Sequence, residues 1–275
     1  MRYFSPIKLA TSTAIALAAV FFIVNRPLTA PLPNTIQISD MTWVEVRSAI
    51  EQGYTTVIVP SGGLEQNGPH MIIGKHDHIV RHAAERIATE LGKTLVAPVI
   101  PYVPEGSYDP PTGHMRFPGT IGVPEAAYAA VVDGIARSLK AGGFRTICFI
   151  ADHGGSQAPQ AETAARLNKE WSGKGVRVVH VDAYYADAAQ IEHLLRQGET
   201  RNAIGQHASV IDTSELMAVN PRGVDLSRLA GLGLSLQSNG IIGDPSRASA
   251  ERGKELLEIR IRAAVAQIRA QMATH

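Results

Sequence analysis

The chain has 275 residues, 45% of them apolar and 19% charged, with a formal net charge of +1 at neutral pH. This is a globular composition, long enough for one large domain with a sizeable core, and the balanced charge gives no basis for a nucleic-acid or anionic-surface partner. Cys148 is the single cysteine, which excludes an intrachain disulfide; inside the apolar run TICFIA it reads as an inert buried thiol.

In chain order, Arg2 and Lys8 flank the start of the apolar run LATSTAIALAAVFFIVN, and a small-residue tail, PLTA, ends at Ala30. A basic start, an apolar run and a small-residue tail read as an export signal over residues 1–30, either cleaved or kept as a membrane anchor through residues 9–25. Both outcomes put the following domain outside the cytoplasm, in the periplasm, because the positive charges precede the apolar run. Residues 31–38 read as a linker.

The stretch SDMTWVEVRSAIEQG predicts a short amphipathic helix, capped by Ser39 or Asp40 and ended by Gly53. TTVIVPSG follows as a continuous β-branched apolar run, the pattern of a strand buried on both faces. The alternation repeats through helix HIVRHAAERIATELG and strand TLVAPVIPY, then helix PEAAYAAVVDGIARSLKAGG and strand TICFIAD. Helix QAPQAETAARLNKEWSGKG and strand VRVVHVDAYY come next, and a closing helix, PSRASAERGKELLEIRIRAAVAQIRAQM, is predicted to be capped near Ser246. Strands alternating with helices predict one α/β domain over residues 39–275, a three-layer fold with a mostly parallel sheet and helices on both faces. In such sheets the ligand sits beyond the carboxyl ends of the strands.

The ligand-type residues fall at those ends. SGGLEQNGPHMIIGKHDH offers Glu65, Asn67, His70, His76, Asp77 and His78, and ADHGGSQ offers Asp152 and His153. GQHASVIDTSE offers His207, Asp212 and Glu215, while the loop PPTGHMRFPGT carries His114 and Arg116. Imidazole and carboxylate suit zinc or a neighbouring divalent metal, and the lack of thiolates excludes a cysteine-built structural zinc. Glycines beside the ligands permit sharp turns and close backbone approach.

The sequence resembles the creatininase family (creatinine amidohydrolase and relatives). VPSGGLEQNGPHMIIGKHD is similar to the family's PxGSxEQHGPHLPLGTD, FPGTI to its GFPGTISL, ADHGGS to its NGHGGN, and HASVIDTSELM to its HAGExETSxML, in order across roughly 39–230. The resemblance implies a parallel-sheet α/β fold, a hexamer in many members, and hydrolysis of amide C–N bonds in small molecules with divalent metals, commonly two. Carried over by position, the family's glutamate ligand falls on Glu65, its next histidine on Asn67, and its bridging aspartate on His76. The glycine-rich histidine falls on His153, a further carboxylate on Gly155, and the ETS glutamate on Asp212.

These departures imply a single-metal site of Glu65, His76 and His153, with Asp152 as a further ligand. Asp212 is expected to be the general base or an extra ligand, Asp77 is a second candidate for either role, and His114, Arg116 and Tyr108 are expected to line the substrate pocket. Zinc is the expected metal, with manganese second. The activity implied is amide or lactam hydrolysis by a metal-activated water. Two alternatives stand beside it: an exported binder of a small ligand or metal without turnover, and a metal-dependent lactone hydrolase.

Overall fold

A computed structural model describes residue 31 and residues 34–273; the predicted export or anchor segment lies outside the described residues. Four strands, β1 (Thr56–Ser61), β2 (Thr94–Val96), β3 (Thr146–Ala151) and β4 (Arg177–His180), form one sheet in the order β2-β1-β3-β4. Every neighbouring pair is parallel, with Val57 opposite Ile147 and Val59 opposite Phe149. The main helices are α1 (Trp43–Glu51), α2 (Lys75–Leu91), α3 (Glu125–Ala141), α4 (Gln157–Glu170), α5 (Ala188–Arg196), α6 (Val210–Val219) and α7 (Ala250–Ala273).

The period-two alternation of a strand sorts its side chains into two cores. Val57, Val59, Ile147 and Phe149 pack with Tyr128 and Val132 of α3 and Leu167 of α4. Ile58, Cys148 and Ile150 pack on the other face with Ile79 and Ile87 of α2, Leu216 of α6 and Ile261 of α7. Helices thus cover both faces of the parallel sheet, giving three layers, and the strands read as unbroken apolar runs because neither face meets water. Cys148 is fully enclosed, and burial pushes its thiol up to about 12, which keeps it inert.

Local chemistry moved several boundaries. The cap of α1 is Thr42 rather than Ser39 or Asp40: Glu45 N–H donates to Thr42 Oγ1 at 3.4 Å, and Thr42 N–H donates to Glu45 Oε2 at 2.7 Å. That reciprocal capping box satisfies two donors, whereas Ser39 and Asp40 lie in a preceding 3-10 turn. The run TLVAPVIPY keeps strand geometry only over Thr94–Val96, because Pro98 and Pro101 have no N–H to give a ladder; a single bridge joins Ser61 to Ile100 beyond it. Helix α7 starts at Ala250, with Ser249 Oγ accepting from Arg252 N–H, while Ser246 N–H is spent on Asp244. Helix α2 starts at Lys75, before the predicted His78, which places Lys75 and His76 in its first turn. Among the described residues no helix is long and apolar enough to cross a membrane.

Candidate active site

Where β1 ends, the chain turns through Gly62 and Gly63. A Cβ at Gly62 would lie 1.8 Å from Asp77 Oδ1, and Gly63 N–H donates to that same oxygen at 3.1 Å. Asp77 therefore clamps the turn from α2. The clamp, a bridge between Leu64 and Ile121, and a hydrogen bond from Gln66 N–H to Thr120 Oγ1 at 3.1 Å hold Glu65 in the floor of a cleft of about 760 Å³. Asn67 makes no contact with the cleft: its Nδ2 donates to the backbone carbonyls of Glu65 at 2.9 Å and Ile72 at 3.2 Å.

The Glu65 carboxylate, 1% exposed, has two differently furnished sides. Its Oε2 lies 3.0 Å from His153 Nε2 and 3.1 Å from His114 Nε2. Its Oε1 lies 2.6 Å from His76 Nε2, 3.7 Å from Lys75 Nζ and 3.6 Å from His207 Nδ1. Behind His76, Nδ1–H donates to Asp152 Oδ2 at 2.7 Å, which turns Nε2 toward Glu65. Asp152 Oδ1 in turn accepts from Tyr184 at 3.0 Å and pairs with Arg260 at 2.6 Å, and Arg260 also pairs with Glu215 at 2.7 Å.

These contacts set the charges. Burial disfavours the Glu65 anion, but His76 and His153 outweigh it and hold the carboxyl well below its usual range. Burial also disfavours the His153 imidazolium, yet Glu65 and Glu105 push it up to about 10. His114 is pulled down to about 4 by burial, so it is neutral at pH 7. Lys75 is fully buried, and Asp212 and Glu65 overcome that burial and keep it charged.

The residues fit a divalent cation. Glu65, His114 and His153 each offer one ligand atom, and these lie within 4.8 Å of one another. Glu105 adds an observation of its own. It is 4% exposed, and neither carboxylate oxygen has a hydrogen-bond partner among the described residues; His153 Nε2 approaches Oε2 to 3.0 Å outside hydrogen-bond geometry. Two imidazoles and carboxylates without thiolates are the donor set of zinc and its neighbours.

Several expectations change here. Asp77 clamps the Gly62–Gly63 turn and is not among the residues that line the cleft. Tyr108 is half exposed, donates to the Gly122 carbonyl at 3.2 Å and does not line the cleft. Asp152 spends both oxygens on His76, Tyr184 and Arg260. Asp212 lines the cleft but is tied to Lys75 at 2.8 Å. His114 and Arg116 both line it, His114 within reach of Glu65 and Arg116 bonded to the Gly113 carbonyl at 3.2 Å.

Sequence reasoning missed Glu105 and Lys75. The one signal for Glu105 is the set of glycines around it: a Cβ at Gly122 would lie 2.8 Å from Glu105 Cβ, and one at Gly155 would lie 2.3 Å from the carbonyl oxygen of Pro104. The backbone carrying Glu105 thus fills the space that a side chain at 155 would need.

A parallel α/β sheet holding a buried carboxylate–imidazole centre at the carboxyl ends of its strands defines a metal-dependent hydrolase. The chain belongs to the creatininase family: the profile described as creatinine amidohydrolase matches residues 39–268. It is similar to the creatinine amidohydrolase of Pseudomonas putida, with 26% identity over 203 residues, covering 72% of this chain and 77% of that protein. It is also similar to the mycofactocin precursor peptide peptidase of Mycolicibacterium smegmatis, with 30% identity over 210 residues, covering 73% and 78%. Among solved structures, a creatininase variant superposes with a TM-score of 0.72 at 24% identity, covering 86% of this chain and 99% of that one. Two others, described as a Zn-Zn type and as the Mn form, each give 0.70 at 23% identity; they cover 87% and 86% of this chain and 99% of theirs.

Proposed function

We propose that this protein hydrolyses an amide or lactam C–N bond of a small molecule at a centre holding one divalent ion. The observation that carries this reading is the convergence of His114 and His153 on one oxygen of the buried Glu65 carboxylate. Those three residues would hold the ion, zinc foremost, as two imidazoles and a carboxylate that leave a coordination position open. This differs from the set implied by family resemblance. His76 is turned by Asp152 onto the other Glu65 oxygen and orients that carboxylate rather than ligating. The bound ion supplies Lewis acidity, which acidifies water and polarises a carbonyl.

The chain's own residues supply the rest. Glu105, whose Oε2 lies 3.0 Å from His153 Nε2 at the cleft, is the carboxylate placed to take a proton and return it to the leaving nitrogen. Asp212, held by the Lys75 ammonium, is not. Arg116 at the rim offers a cation for a polar or anionic part of the substrate, and the cleft volume suits a small molecule. The names of the Pseudomonas and Mycolicibacterium relatives both denote hydrolysis at an amide-type bond, which supports an amide over a lactone.

The exported location of the domain, and a homo-oligomer, belong to the same reading. The basic–apolar–small pattern of residues 1–30 supports export. Tyr108 and Ile121, large apolar residues each about half exposed, support association with further copies. The test of function is a screen of amides and lactams with the zinc-loaded protein. Turnover should be lost in His153→Ala together with the metal. Unchanged metal content in both His114→Ala and His153→Ala would overturn the reading.

A further inference from the structure

Lys75 sits in the first turn of α2, where the unpaired N–H groups already make the helix end positive and favour Asp or Glu. It is nevertheless a lysine, 1% exposed, with its ammonium inside the site. Its partners are Asp212 Oδ1 at 2.8 Å and Glu65 Oε1 at 3.7 Å. A buried ammonium at a helix N-terminus is doubly unfavourable, so these carboxylates must compensate for it.

Two carboxylates and a histidine lie on that side of the site. Glu65 Oε1 and Asp212 face the ammonium. His207 lies on the same side, with Nε2–H donating to the Gln66 carbonyl at 2.9 Å and Nδ1 turned to within 3.6 Å of Glu65 Oε1. A histidine that gives one N–H to a backbone carbonyl and presents its other nitrogen inward has the arrangement of a metal ligand. Two carboxylates thus face a tethered positive charge, and the His207 imidazole faces the same Glu65 oxygen.

We infer that the Lys75 ammonium serves as the second cation of this centre. It occupies the Oε1 side of Glu65, neutralises Asp212, and limits the site to one divalent ion, held on the Oε2 side. This rests on the single-ion reading above and deepens it. Glu65 is placed to bridge two cations, and the chain supplies one of them covalently. Asp212 is therefore a partner of Lys75, and its carboxylate is not a ligand of the ion.

The test is a count of zinc per chain after dialysis of the full-length protein against excess zinc. Wild type is expected to hold one and Lys75→Arg one, because charge is retained. Lys75→Ala is expected to hold two, the second on Glu65, Asp212 and His207. Two ions in the wild type, or one in a folded Lys75→Ala, would overturn the inference while leaving the hydrolase reading in place. No ion in the wild type would overturn both. Should Lys75→Ala not fold, Asp212→Asn decides: zinc affinity within roughly tenfold of wild type agrees with a carboxylate outside the ligand set, and a loss well beyond 100-fold contradicts it.

Discussion

Glu105 and His70 show how one physical fact, burial, produces different roles. Glu105 is buried against His153, and burial outweighs that imidazole and raises its carboxyl above the usual range, which suits a group that accepts and returns a proton. Glu105→Gln should lower kcat by roughly 10²–10⁴-fold with zinc content unchanged, as measured by turnover and metal analysis on the same sample. His70 is buried with Nε2 2.9 Å from Thr213 Oγ1, and burial pulls it down to about 4. In the folded protein it stays neutral while the unfolded chain takes up a proton near pH 6.5. Its contribution to stability is therefore present above pH 6.5 and lost as pH falls from 6.5 to 4, on the order of 3 kcal/mol in all. Denaturant midpoints across that range should fall less in His70→Gln than in the wild type; equal slopes would contradict it.

The motif spacing around Glu65, His76 and His153 is visible in the chain, and the fold brings the three together. What distinguishes a ligand from a support is not visible there. Asp77 and Asp152 look like ligands in a sequence, yet one clamps a turn and the other orients a histidine. Lys75 and Glu105 carry no spacing signal at all, because Lys75 meets Glu65 and Glu105 meets His153 only when α2 and the loop after β2 pack at the end of β1.

Among the elements, the runs that became β1 and β3 were readable because both faces of each are buried, which leaves no polar alternation to confuse the pattern. The run TLVAPVIPY overstated β2, since apolar content carried the signal and its prolines decided the ladder. The start of α1 was misplaced by two or three residues because Ser39, Asp40 and Thr42 are all competent caps, and only Thr42 has a glutamate three residues on. Thr42→Ala should therefore cost about 1 kcal/mol in urea or thermal unfolding, with zinc content unaffected. A null result would show that the capping box contributes nothing to α1.

For the molecule as a whole, the parallel sheet explains why one cleft gathers residues from so much of the chain. Each parallel crossover returns the next strand with its carboxyl end on the same edge, so the loops after β1, β2 and β3 meet there and α6 closes the side. Fold class was legible from the alternation of elements; the substrate was not, because the rim is made of loops such as that carrying Arg116. Export is testable without any substrate. Intact mass of the protein recovered from the periplasmic fraction should correspond to cleavage near Ala30, or to the full chain if residues 9–25 remain as an anchor. Recovery from the cytoplasm alone would contradict export.

The most direct measurement is anomalous X-ray diffraction at the zinc edge from crystals of the zinc-loaded protein. One peak per chain bounded by Glu65 Oε2, His114 and His153, with Lys75 Nζ still against Asp212, is the predicted result. A peak bounded by other residues, or none at Glu65, would contradict it.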